Sequence, residues 1–146
     1  RQDDLSAVLE RYELPEPRVQ SIGIVSEFAS AAMDISDGLV GDLEKLCRAS
    51  GVGAKIEVQN IPLSAAAMGN LEKNPAISVI DLATGGDDYE LLITVAAERA
   101  GQCERQALTD KTPFRRIGEI VSGNGVEVTG PDGFPIKTAK RSYLHF

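Results

Sequence analysis

The run Leu91-Leu92-Ile93-Thr94-Val95 constrains this chain more than any other stretch. Apolar and β-branched residues follow one another there without polar alternation. That pattern fits a central strand covered on both faces, not one that shows a face to water. Such a strand needs layers on either side, and the rest of the chain supplies them. Leu39, Val40, Leu43, Leu46 and Cys47 recur at helical spacing, with Ser36 or Asp37 as a cap and Gly51 and Gly53 as terminators. Ala97 to Leu108 fits a second clear helix with Ala100, Cys103 and Ala107 inward. Shorter helices are predicted from about Pro17 to Phe28 (Val19, Ile22 and Val25 or Ser26 on one side) and from Ser64 through Met68, while the apolar run Ile77 to Ala83 fits either helix or strand, with helix the better fit. A helical pattern at Leu5, Val8, Leu9 and Tyr12 precedes the stiff link Leu14-Pro15-Glu16-Pro17. Further strands are expected at Ala31–Ile35, where the reading is a short buried strand, and at Lys55–Val58, Arg116–Val121 and Val126–Thr129. Gly130-Pro131-Asp132-Gly133 reads as a turn toward Ile136. The order implies an α/β (α+β) sandwich, a mixed β-sheet packed with helices, and not a regular doubly wound sheet.

The chain has 146 residues, enough for one core and too few for two ordinary domains. Its 15 Lys and Arg against 22 Asp and Glu leave a net charge of −7, which repels phosphate backbones and argues against nucleic acid as a partner. No apolar run approaches a membrane span, and no signal-peptide pattern is visible. Cys47 and Cys103 form no framework and no C-x-x-C, and both sit in helical patterns where packing is the simpler role. The composition points to a reduced, cytoplasmic setting. Arg1 in place of Met, with a helical pattern starting at once, suggests a piece of a longer chain.

Two short segments could carry chemistry. In Met33-Asp34-Ile35-Ser36-Asp37-Gly38-Leu39 a strand ends at Asp34 and turns into a helix. Amide groups at a helix start favour anions such as phosphate, and Asp34 and Asp37 are hard oxygen ligands suited to Mg²⁺. Ser-Asp before a helix is equally an ordinary cap. Thr84-Gly85-Gly86-Asp87-Asp88-Tyr89-Glu90 opens the Leu91 strand, as a tight turn presenting carboxylates or as a hydrophilic loop. If the two strands are antiparallel neighbours, the segments share one sheet edge and four carboxylates cluster, an arrangement that needs a cation or protons. Nucleophilic catalysis has little support, since the sole histidine, His145, is penultimate and no G-x-S-x-G or Walker pattern occurs. No catalytic side chain is assigned. The tail Tyr143-Leu144-His145-Phe146 ends in aromatics that either pack or stack a ligand.

These two segments in this order, with that aromatic tail, resemble the carboxy-terminal domain of the thiamine-monophosphate kinase family. That family lies within the superfamily of aminoimidazole ribonucleotide synthetase and selenophosphate synthetase. The resemblance runs from Leu14-Pro15 to Phe146 and implies that superfamily's C-terminal-domain sandwich, with residues 1–146 as one domain. It implies Mg²⁺-assisted transfer of the ATP γ-phosphoryl group to thiamine monophosphate, giving thiamine diphosphate. By this likeness Asp34 and Asp37 are metal ligands, Ser36 touches the nucleotide phosphates, and Asp87 and Tyr143 contact the substrate. Asp87 stands where the family usually has Glu, Ser142 where Gly is common and Leu144 where Asp is common. The family's amino-terminal domain, which carries most acidic ligands, much of the ATP site and the main homodimer surface, is expected to be missing here. The chain alone is then expected to be catalytically silent. Another ATP-using synthetase of the superfamily, or a non-catalytic binding or dimerisation module, are the alternative readings.

Overall fold

The computed structural model describes residue 9, residues 12–112 and residues 114–136. Ten regular elements follow the order α1 (Ile22–Phe28), β1 (Ala29–Ile35), α2 (Leu39–Ser50), β2 (Gly53–Glu57), α3 (Ala65–Lys73), α4 (Val79–Ala83), β3 (Glu90–Val95), α5 (Ala97–Thr109), β4 (Gly118–Val121) and β5 (Gly125–Thr129). Short 3-10 turns lie at Val19–Ser21 and Val58–Asn60. Among the described residues no helix is long and apolar enough to cross a membrane.

Among the described residues the strands form two sheets. β1 and β3 pair antiparallel, with Met33 opposite Leu92, Asp34 opposite Leu91 and Ile35 opposite Glu90. β2 lies between β4 and β5, antiparallel to the first and parallel to the second. Helix α2 contacts β1, β2 and β5, so it packs on both sheets. Its apolar stripe explains this. Leu39, Val40, Leu43 and Cys47 join Ile35, Leu92, Ala54, Ile56 and Val128 in one buried cluster. A second cluster holds Ile24 and Phe28 of α1 with Cys103 and Ala107 of α5, and Ile93, Val95 and Phe114 pack against it. Arg99 stacks over the Phe28 ring, 4.5 Å from its centroid, and donates to the Glu27 carbonyl oxygen at 2.6 Å, tying these helices together.

These two clusters account for the unbroken apolar run at Leu91. Successive strand side chains point to opposite faces. Leu92 therefore enters the first core while Ile93 and Val95 enter the second. Both faces of β3 are covered, as expected, but its position is not central. Among the described residues its one neighbour is β1. The expected mixed α/β sandwich is present, and among the described residues its strands divide between the β1–β3 pair and the β4-β2-β5 sheet, with α2 packed on both. The expectation of a buried strand at Ala31–Ile35 also needs correction. β1 alternates half-buried and exposed residues, and Ile35 alone is buried.

The remaining elements follow local signals. Gly51 ends α2 in the left-handed conformation (φ 67°). The Ser64 hydroxyl accepts the Ala67 N–H at the start of α3, and Ser78 and Asp81 form a reciprocal capping box on α4. The turn at Gly130–Gly133 returns the chain so that Ile136 N–H donates to the Val128 carbonyl oxygen. In α1 the inward face differs from expectation. Ser21, Ile24 and Phe28 are buried at one continuous helical spacing, whereas Val19 and Ile22 on the opposite side are exposed, so the face that packs on α5 is the other one. Most of the pattern at Leu5–Tyr12 lies outside the described residues.

Ile56 is 2% exposed at the centre of the main core. Ile56→Ala is expected to cost about 2–5 kcal/mol of stability, read from urea denaturation midpoints at unchanged slope.

Candidate functional site

The antiparallel pairing of β1 and β3 puts the end of one strand beside the start of the other. Their flanking turns are laced together by backbone bonds. Tyr89 N–H donates to the Ile35 carbonyl oxygen, and Asp87 N–H donates to that of Ser36, both at 2.8 Å. The approach is close enough to demand glycine. A Cβ on Gly86 would lie 2.7 Å from the Ser36 oxygen, and one on Gly38 would lie 2.5 Å from the Gly85 oxygen. Gly38 also has φ 112°, a backbone state that L side chains rarely adopt. Asp87 (φ 68°) and Tyr89 (φ 50°) hold left-handed conformations as well, which is uncommon for a bulky tyrosine. The Tyr89 hydroxyl donates to Asp87 at 3.1 Å. That bond and the Asp87 charge, with the more distant Asp34 charge adding to them, push the phenol pKa up.

The start of α2 is organised by a residue outside either motif. Asp42 is fully buried. One of its carboxylate oxygens accepts the Ser36 and Asp37 N–H groups at 2.9 Å each, and the other accepts the Lys45 ammonium at 2.7 Å. Lys45 also bonds and ion-pairs with Asp37. Burial alone would raise the Asp42 pKa, but Lys45 and the two amides outweigh it and hold the carboxyl below its ordinary range. The bond to Asp37, then that to Asp42, raises the Lys45 pKa. Burial pushes both thiols, Cys47 and Cys103, up, in keeping with packing roles.

The structure thus brings the Asp34–Gly38 and Gly85–Glu90 segments to one sheet edge, as the conditional topology required. It does not form the four-carboxylate cluster. Among the described residues no group of three or more His, Cys, Asp or Glu side chains is disposed to hold a metal. Asp37 is drawn toward Lys45 and Asp87 toward Tyr89, while Asp34 is exposed on β1. The ordinary-cap reading of Ser36 and Asp37 also fails, since Gly38 is the N-cap and no side chain caps there. Asp42 takes the Ser36 and Asp37 amides, which lie before the N-cap and are distinct from the first-turn amides of α2. Tyr143 and His145 lie outside the described residues. Sequence reasoning missed Asp42, Lys45 and Arg18. Asp42 falls three residues after Leu39 on the apolar stripe, and an acid at such a position signals a buried, partnered carboxylate. Arg18 donates to both oxygens of Glu90, at 2.9 and 2.6 Å, from 72 residues away, and no local pattern announces such a pair.

Residues 2–131 match the family described as AIR synthase related protein, C-terminal domain. The chain belongs to this family. The AIR-synthase-type domain is 38% identical over 141 residues to a thiamine-monophosphate kinase of Caulobacter vibrioides, covering 95% of this chain and 40% of that protein. Its fold superposes on AaThiL complexed with AMPPCP and TMP, with a TM-score of 0.79 and 31% identity over 98% of this chain and 42% of the other. It also superposes on thiamine-monophosphate kinase from Stenotrophomonas maltophilia K279a, with a TM-score of 0.77, 36% identity and coverage of 90% and 40%. The chain therefore spans about two fifths of the length of the relatives it matches.

Two measurements test the site's construction. Because the Asp42 pKa is lowered in the folded state, its stabilisation is complete above the unfolded carboxylate value of about 3.9 and is lost as pH falls through the lower, folded value. Asp42→Asn should lower stability at pH 7 and flatten that acid limb, read as melting temperature against pH. Gly86→Ala, forced against backbone at Ser36, should destabilise by about 1–3 kcal/mol in denaturant unfolding.

Proposed function

We propose that this domain is the C-terminal part of a thiamine-monophosphate kinase. In this reading the intact protein transfers the γ-phosphoryl group of ATP to thiamine monophosphate and yields thiamine diphosphate. The observation that carries the reading is the lacing of the Asp34–Gly38 turn to the Gly85–Glu90 turn. It places an acidic helix start and an acidic loop on one sheet edge, in a chain whose relatives are kinases of this name. The relatives' greater length supports a further domain that completes the site. Homodimerisation of the intact protein and a cytoplasmic setting belong to the same reading.

The donor chemistry fits Mg²⁺. Asp34 and Asp37 offer one or two carboxylates, and Mg²⁺ commonly takes that few from protein, filling its shell with water and phosphate oxygens. When bound, the metal neutralises phosphate charge during transfer. The chain's own residues prepare for this. Asp34 presents an exposed carboxylate from a paired strand. Asp42 fixes the Ser36 and Asp37 backbone, so that the Ser36 hydroxyl is held toward nucleotide phosphates and Asp37 toward the metal. Asp87, set by its bond from Tyr89, serves the thiamine moiety, with Tyr143 stacking on its ring. Catalysis here is positioning and charge compensation, and no side chain need act as nucleophile.

A coupled ADP-release assay with Mg²⁺, ATP and thiamine monophosphate tests this. The intact protein should turn over and residues 1–146 alone should not. Asp34→Asn in the intact protein should lower kcat by at least about a hundredfold, the scale for loss of one charge-stabilising group. Undiminished turnover in that variant would remove Asp34 from the metal site, and turnover by residues 1–146 alone would remove the need for a second domain.

A further inference from the structure

We infer that Lys45 is a tethered counter-cation that competes with divalent metal for Asp37 and thereby sets the metal concentration the site requires. The inference rests on the reading of Asp37 as a metal ligand. Lys45 reaches Asp37 and Asp42 with one ammonium group. The two acids differ in kind. The Asp42 side chain is 1% exposed and already committed to two amides, while Asp37 is 28% exposed and within reach of solvent ions. Lys45 is itself 43% exposed on a flexible stem. An arriving cation can therefore displace the ammonium from Asp37 without expelling it from the site, because the bond to Asp42 remains. In the metal-free state the same ammonium offsets the repulsion between two carboxylates that flank one helix turn. Displacement of the ammonium then breaks the partly exposed Lys45–Asp37 pair and leaves the buried Asp42 pair in place.

The test is Mg²⁺ titration of the intact protein without nucleotide, followed by the rise in melting temperature that binding to the native state produces. Lys45→Gln keeps a donor for Asp42 and removes the charge. It should lower the Mg²⁺ midpoint about two- to fivefold, the scale of one partly exposed ion pair. Lys45→Arg, which keeps the charge, should return the midpoint to the wild-type value. In an Asp37→Asn background Lys45→Gln should shift nothing. An unchanged or raised midpoint in Lys45→Gln, or a shift that persists with Asp37→Asn, would overturn the inference while leaving the metal assignment intact. If Asp37→Asn alone leaves the Mg²⁺ response untouched, the assignment of Asp37 to the metal falls, and this inference with it. The lysine ammonium ¹⁵N signal of the unaltered protein provides a check independent of folding of the variants. The Lys45 resonance should move on Mg²⁺ addition, and a stationary signal refutes displacement.

Discussion

The two-stranded ladder of β1 and β3 is the constraint on which the rest depends. It divides the described molecule into two cores and ends where the two acidic turns meet. Because side chains alternate along a strand, a slip of one residue would send Leu92 toward α1 and α5 and would turn Ile93 and Val95 toward α2. Both cores oppose such a slip at once. The register that protects the cores is the same one that places Ile35 and Ser36 carbonyl oxygens opposite Tyr89 and Asp87 amides. Packing remote from solvent thus dictates the geometry of an exposed edge.

At that edge the difficulty is electrostatic. A fully buried carboxylate would be costly alone, and Asp42 is tolerated because two backbone amides and Lys45 surround it. The arrangement fixes the turn that leads into α2. It anchors the turn from within the helix, leaving the N-cap position to Gly38, the one residue whose lack of a side chain lets Gly85 come near.

Much of the local structure was legible. Periodicity placed α2, α5 and β3, and punctuation by Ser64, Gly51 and Gly130-Pro131 placed their neighbours. The pairing of the Asp34 and Tyr89 strands appeared only as a condition, since strand partnership is nonlocal. The split into two sheets was hidden because Leu91–Val95 reads alike whether its two covers belong to one layer stack or to separate cores. The inward face of α1 was not legible because apolar residues lie on both sides of it: Val19 and Ile22 face out while Ile24 and Phe28 face in, and only the packing against α5 decides between them. The site's acids were found as residue types, but their partners were not. Lys45 stands three residues after Asp42, a spacing at which helix charges pair, whereas Arg18 meets Glu90 across 72 residues and no local pattern announces it.

The Arg18–Glu90 fork has a mechanical side. Glu90 begins β3 and sits opposite Ile35 at the end of β1, while Arg18 closes the proline-stiffened stretch that leads into the fold. The fork thus joins the approach to α1 directly to the residue that follows the Tyr89 turn, so the seating of that turn is shared by a side chain 72 residues upstream.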